Sequence, residues 1–307
     1  MKLCYALRRG VFYPSTRDAF GEMPPSTELR RRYLPLVKKL GFDGVEVPAT
    51  GVEGSDETHA RAFADELSDA GLPIVCVRGG GPLAHPLAGE AARLRLEQAI
   101  RFAGWVGAGV VNTAMVSPPT DPTGPGHDHR GETVSQGASR VATEAEFERT
   151  AQHLRTLGQV AGDLGVKVSI EVHQGSIADN SRATLHLLDL VGLPNVGANP
   201  DLGNILWQYD SPEETSEQAI VALAPRSFYW HCKNLMTVHV PELRHTFFQR
   251  VPLPDGEIDY RFAIAAMQDA GYEGYLAVEG TQKGDQVTAD GRSAAYVRSI
   301  LADLAGD

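Results

Sequence analysis

Short apolar runs rich in Val, Ile and Tyr alternate along this chain with longer stretches in which apolar residues recur every three or four positions. The first pattern predicts buried strands, the second amphipathic helices with one face on a core. Strands are expected at 2–7, 44–48, 73–78, 110–116, 167–173, 196–201, 227–233 and 275–280. Helices are expected at 27–40, 57–70, 90–106, 144–164, 182–191, 212–223, 260–270 and 291–304. In the first helix Leu29, Tyr33, Leu36, Val37 and Leu40 share one face. Gly41, Gly71, Gly165 and Gly271 stand where helices should end, and glycine readily adopts the left-handed cap. Ser211-Pro212-Glu213-Glu214 reads as a helix opening, with Ser as cap, Pro in the first turn and acid behind it.

Eight strands alternating with eight helices point to an α/β fold, a single (β/α)8 TIM barrel spanning 1–307. An open doubly wound sheet would announce a dinucleotide-type glycine turn. The one glycine cluster, Arg78-Gly79-Gly80-Gly81-Pro82, lacks that spacing. The stretch 117–141, after the fourth strand, is too long for an ordinary connection and reads as a lid or an insertion. It falls on the C-terminal face of the strands, where barrel active sites lie.

Four of the later runs end in a carboxylate or an imidazole: Glu171, Asp201, His231 and Glu279, separated by 30, 30 and 48 positions. One βα unit takes about 30 residues or more, so this spacing delivers one metal-ligand type per strand to the same mouth. Three carboxylates and one imidazole suit a single divalent ion, Mn²⁺ foremost, with Mg²⁺, Co²⁺ or Zn²⁺ as alternatives. Such an ion would chelate sugar oxygens and stabilise an enediolate as a carbon-bound proton leaves. Alternation along a strand puts His173 on the face of Glu171, and Lys233 on the face of His231. Both are candidate substrate contacts, with a satisfied core histidine as the alternative for His173 and pairing with a carboxylate as the alternative for Lys233. Arg78 is read as a barrel-rim ion pair, Trp207 as a core residue or a sugar-stacking face, and Trp230 as pointing outward into packing.

Composition narrows the partners. A formal charge of −11 argues against a nucleic-acid surface and an anionic membrane. No run is long and apolar enough for a transmembrane helix, and no signal peptide is evident. Cys4, Cys76 and Cys232 have no CxxC spacing and are expected to be reduced core residues of a cytoplasmic protein.

The segments IEVH, NPDLGN, WHCKN and PLPDGEIDYRFAIAAMQDAGYEGYLAVEG make the chain resemble the xylose isomerase-like TIM-barrel superfamily over nearly its whole length. The resemblance is to the branch with ketose 3-epimerases, hydroxypyruvate isomerases and inosose dehydratases. It implies one metal held by Glu171, Asp201, His231 and Glu279, with Glu171 and Glu279 also serving as the acid/base pair. It further implies substrate- or ligand-supporting roles for Glu46 and Arg250. Asn204 stands where the epimerases usually carry His, and Asn234 where many relatives carry Asp. An Asn there can hydrogen-bond a sugar hydroxyl but does not exchange protons near neutrality. His173 and the loop pair His127 and His129 are the compensating candidates, and Arg244 is a weaker alternative to Arg250.

The expected function is therefore isomerisation or epimerisation of a small sugar, keto-sugar or polyol. The competing expectation is a lyase or dehydratase acting on 3-oxo-glycosides, including C-glycosides, or on inosose. In that branch the resemblance implies a histidine base and a small accessory subunit. A homo-oligomer is expected otherwise. The superfamily's DNA-repair endonucleases need a three-zinc cluster and a basic surface, and neither is legible here.

Overall fold

The computed structural model describes residues 1–6, 27–49, 56–116, 138–207, 213–243, 245–281 and 284–306. The apolar runs form β1 (Lys2–Ala6), β2 (Gly44–Pro48), β3 (Ile74–Gly80), β4 (Val110–Ala114), β5 (Lys167–Glu171), β6 (Val196–Asn199) and β7 (Trp230–Cys232). An antiparallel pair follows, β8 (Asn234–Val240) and β9 (His245–Val251), and then β10 (Tyr275–Val278). The helices are α1 (Thr27–Lys39), α2 (Glu57–Asp69), α3 (Gly89–Val106), α4 (Glu144–Asp163), α5 (Ser181–Val191), α6 (Leu202–Leu206), α7 (Ser216–Leu223), α8 (Tyr260–Asp269) and α9 (Gln286–Ala305).

Eight parallel strands run in the order β6-β5-β4-β3-β2-β1-β10-β7, a nearly closed α/β TIM barrel with helices between the strands. The ends of the sheet meet through a single bridge, Ala198 with Ser227, beside which the Phe228 N–H donates to the Ala198 carbonyl at 3.0 Å. Gly197 makes that approach feasible: a Cβ there would lie 2.6 Å from the Arg226 carbonyl oxygen and from the Phe228 ring.

Parallel strands covered on both faces must be apolar on both. Cys4, Cys76, Tyr229 and Ala277 pack together inside the barrel, below the mouth. Leu3, Val45, Val77, Trp230 and Leu276 belong to the larger core under the helices. Trp230 is fully buried beside Tyr260 of α8, ring centroids 5.9 Å apart, as its alternation with His231 requires. The three cysteines are buried and unpaired. Gly41, Gly71, Gly165 and Gly271 all have positive φ after their helices. Among the described residues no helix is long and apolar enough to cross a membrane.

Several expectations are corrected. α7 opens at Ser216, where Thr215 and Gln218 form a capping box, rather than at 212. Glu213 and Glu214 instead accept hydrogen bonds from Asn180 and Ser181 at the start of α5. α9 starts at Gln286 rather than 291 because Asp285 caps it through the Thr288 N–H at 3.1 Å. The β8–β9 hairpin and the short α6 were not anticipated. Of 117–141, residues 117–137 lie outside the described residues, as do Ser211, Pro212, Arg244 and the pair His127 and His129. Ser139–Val141 forms a 3-10 turn.

Candidate metal centre

Inward-facing positions at the strand C-termini converge on one mouth. Glu171 closes β5, Asp201 lies just past β6, His231 is central in β7 and Glu279 follows β10. Each offers a ligand atom, these atoms lie within 4.8 Å of one another, and all four residues are buried. His231 Nδ1 is 3.2 Å from Glu279 Oε1, 3.4 Å from Glu171 Oε2 and 4.0 Å from Asp201 Oδ2.

The ligand set is held from behind. His231 Nε2 bonds to Glu46 Oε2 at 2.6 Å, and the other Glu46 oxygen accepts from Arg78 Nη1 at 2.5 Å. Glu46 thus orients the imidazole, and the rim pair with Arg78 expected from sequence is present. Asn204 donates its side-chain amide to Glu171 Oε1 at 3.0 Å and to the Val172 carbonyl at 2.9 Å. Both bonds fasten β5, so this amide serves the carboxylate itself. Asn112, which sequence reasoning missed, donates to Glu171 Oε2 at 2.9 Å. Asn112 Oδ1 accepts from Asn199 at 3.0 Å, and Asn199 Oδ1 takes the backbone N–H of His231 at 2.7 Å. The sequence signals for this relay were polar residues at inward positions of β4 and β6, Asn112 and Asn199.

Lys233 extends its amine to Asp201 Oδ2 at 2.5 Å and Glu279 Oε2 at 3.0 Å. Gly203 of NPDLGN clears its path, since a Cβ there would sit 2.4 Å from Lys233 Cγ. Asp201 also caps α6, its Oδ1 accepting from the Asn204 N–H at 3.2 Å. Asn234 is not available to a sugar: its amide group donates to the Leu253 and Ile258 carbonyls, and its oxygen accepts from the Leu235 and Ile258 N–H groups. Gly256 in PLPDGEIDY allows that knot, because a Cβ would approach Asn234 Cγ to 2.2 Å.

His173 sits at the mouth, largely buried, with Nδ1 at 2.8 Å from the Gln174 carbonyl. A carbonyl only accepts, so Nδ1 carries the proton and Nε2 keeps its lone pair. Burial lowers the His173 pKa, with Glu171 working the other way. Burial opposes ionisation of Glu171, but His231, His173 and Lys233 outweigh it and hold that carboxyl well below its usual range. For His231 burial opposes protonation, yet Glu46 and Glu171 prevail and raise its pKa. Trp207 stacks on Phe248 of β9 at 5.8 Å and lies 5.7 Å from the Arg250 guanidinium carbon, so its ring is engaged within the protein.

The fit to a divalent ion rests on His231. Its Nδ1 is buried, makes no hydrogen bond among the described residues, and faces three carboxylate oxygens. A nitrogen aimed into such an anionic cluster is the arrangement of a metal ligand, with Glu46 behind it fixing the ring.

A model of the family described as xylose isomerase-like TIM barrel matches residues 34–300. The chain belongs to that family. Its curated relatives include an inosose dehydratase of Clostridium perfringens, 27% identical over 168 residues, 51% of this chain and 55% of the relative. The chain thus spans about half the length of that relative. An L-ribulose-5-phosphate 3-epimerase of Escherichia coli is 22% identical over 270 residues, 83% of each chain. A family structure from Mycobacterium smegmatis in complex with magnesium superposes with TM-score 0.76 at 20% identity, covering 99% of this chain and 97% of that one. An L-ribulose 3-epimerase structure gives 0.71 at 16% identity over 98% and 95%. Xylose isomerase-like membership makes this chain the relative of sugar epimerases and dehydratases, and its buried Glu/Asp/His/Glu cluster could bind a divalent metal.

Proposed function

We propose that the chain is a divalent-metal-dependent enzyme that removes a proton next to a carbonyl of a small sugar, keto-sugar or polyol, leading to isomerisation or epimerisation. The observation that carries this reading is the buried quartet with His231 Nδ1 turned into it. Glu171, Asp201, His231 and Glu279 would hold the ion, and the oxygen-rich set favours Mn²⁺. When bound, it supplies positive charge that polarises the carbonyl and offsets the charge left by the departing proton.

The protein's own groups do the rest. Glu46 holds the His231 ring, Asn112 and Asn204 keep Glu171 ionised and oriented, and Lys233 ties Asp201 to Glu279. Glu171 and Glu279 are assigned the removal and return of the proton. A second reading, elimination by a lyase or dehydratase, is favoured by one observation: with Nδ1 bonded to the Gln174 carbonyl, His173 keeps Nε2 for the role of a single neutral base at the mouth. Dehydration and epimerisation beside a ketone share the first step.

Mn²⁺-loaded protein should exchange the carbon-bound proton of a substrate in D₂O, read by NMR across ketoses, inosose and 3-oxo-glycosides. Stereochemical scrambling marks the epimerase, and release of water or an aglycone marks the lyase. Glu279→Gln should lose exchange while keeping the fold. Stoichiometric metal with no exchange on any of these compounds would overturn the reading.

A further inference from the structure

Arg250 brings to the mouth a positive charge whose ion pair with Glu279 is long, at 3.7 Å. It stands on β9 opposite the fully buried Leu235, so its side chain lies on the barrel-facing side of the hairpin. Phe248 stacks on Trp207, and the Arg250 guanidinium carbon lies 5.7 Å from the Trp207 ring, which helps fix the plane of the fork. Arg250 Nη1 is buried and makes no hydrogen bond among the described residues. The carboxylate oxygen it faces, Glu279 Oε2, is 3.7 Å away and already accepts from Lys233 at 3.0 Å. Arg78 differs, because Glu46 neutralises it at 2.5 Å.

Charge counting points the same way. Glu46 and Arg78 cancel. Glu171, Asp201 and Glu279 bring three negative charges against the positive charges of Lys233 and Arg250, a net of one negative charge. A divalent ion on the quartet would turn that into one net positive charge beside a buried donor that has no acceptor among the described residues. A neutral sugar hydroxyl could accept one bond but would leave the charge uncompensated. A carboxylate places two oxygens side by side and matches the planar fork. A phosphate also matches the fork, but its charge of about −1.5 to −2 overshoots the single positive charge that a carboxylate balances.

We propose that the substrate is a sugar acid whose carboxylate binds Arg250. This rests on the metal-assisted reading above. The test is isothermal titration of Mn²⁺-loaded protein with D-glucuronate, D-galacturonate and 2-keto-D-gluconate. Their neutral counterparts D-glucose, D-galactose and D-fructose are run beside them, together with glucose 6-phosphate.

At least one acid should bind about 10- to 100-fold more tightly than its neutral counterpart, and that preference should shrink to about two-fold or less in Arg250→Gln. Arg250→Lys should show an intermediate preference, because it keeps the charge and loses the fork. It also carries the test should the Gln variant fail to fold. Mn²⁺ content should be the same in all three proteins. The proposal is overturned if neutral sugars bind as well as the acids, if no acid binds at millimolar concentration, if the sugar phosphate binds more tightly than every acid, or if the preference survives in Arg250→Gln. A wild-type protein that takes up no Mn²⁺ would instead defeat the underlying metal reading.

Discussion

The strand ends of the barrel and the β8–β9 hairpin bring charge to the same mouth, but only the first surrounds its charges with fixed partners. Glu171 has both oxygens bonded by amides, His231 is held by Glu46 and Asn199, and Asp201 is shared between Lys233 and its own helix. The hairpin brings Arg250 with an aromatic neighbour and a buried N–H that finds no acceptor among the described residues. Its opposite face leaves Met236, Val238 and Phe247 about half exposed. The barrel is built to hold an ion in a fixed geometry, and the hairpin to choose what meets it. Substitutions in the two regions should therefore fail differently.

Asp201→Ala should have the largest effect. It removes a ligand and takes the Asp201 carboxylate away from the buried Lys233 amine, so a loss of about 3–5 kcal/mol is expected in chemical denaturation. Bound metal, read by elemental analysis, should fall at the same time, and unchanged stoichiometry would remove Asp201 from the ligand set. Asp290 sharpens the comparison by lying in the barrel's buried shell but outside the quartet. It accepts from Tyr5 at 2.8 Å, and burial pushes its pKa up to about 7. An acid raised in the folded state keeps a proton that the unfolded chain has released. Stability is then fully present below about pH 4 and declines as the pH rises to about 7, by about 4 kcal/mol for a shift of about three units. Asp290→Asn should remove that decline without changing metal content, as thermal denaturation across pH 4 to 8 would show.

Asn112→Ala comes next. Losing a donor to Glu171 should cost about 1–3 kcal/mol and weaken metal binding about 10- to 100-fold, measured by competition with a chelator. The smallest effect is expected on the outer hairpin face. Met236→Thr with Val238→Thr should change stability by no more than about 0.5 kcal/mol and leave metal affinity alone. A large loss of metal in that pair would dissolve the distinction between barrel and hairpin.

The barrel was legible because each strand is an apolar run closed by a turn signal, and the quartet because its members end four of those runs. The hairpin was written into the spacing without being read. The interval from His231 to Glu279 is 48 positions where its predecessors are 30, and the surplus of eighteen equals the length of Asn234–Val251. Its turn, around Pro241 and Glu242, lacks the Asn-Gly or Asp-Gly pair that marks a tight hairpin. The helix opening at Ser211 misled because acids suited to a first turn were claimed by Asn180 and Ser181 from another element. Glu46 and His231 lie 185 positions apart, and Asn112 and Glu171 lie 59 apart. No local pattern announces such partners, since only barrel closure brings them together.

The single bridge between β6 and β7 has a consequence for the whole fold. Where other neighbouring strands share a backbone ladder, this seam is stitched mainly by side chains: Asn199 takes the His231 N–H, and Lys233 reaches across to Asp201. The clasp of the barrel runs through Asp201 and His231, so the last gap in the cylinder is fastened at two of the residues that would grip an ion.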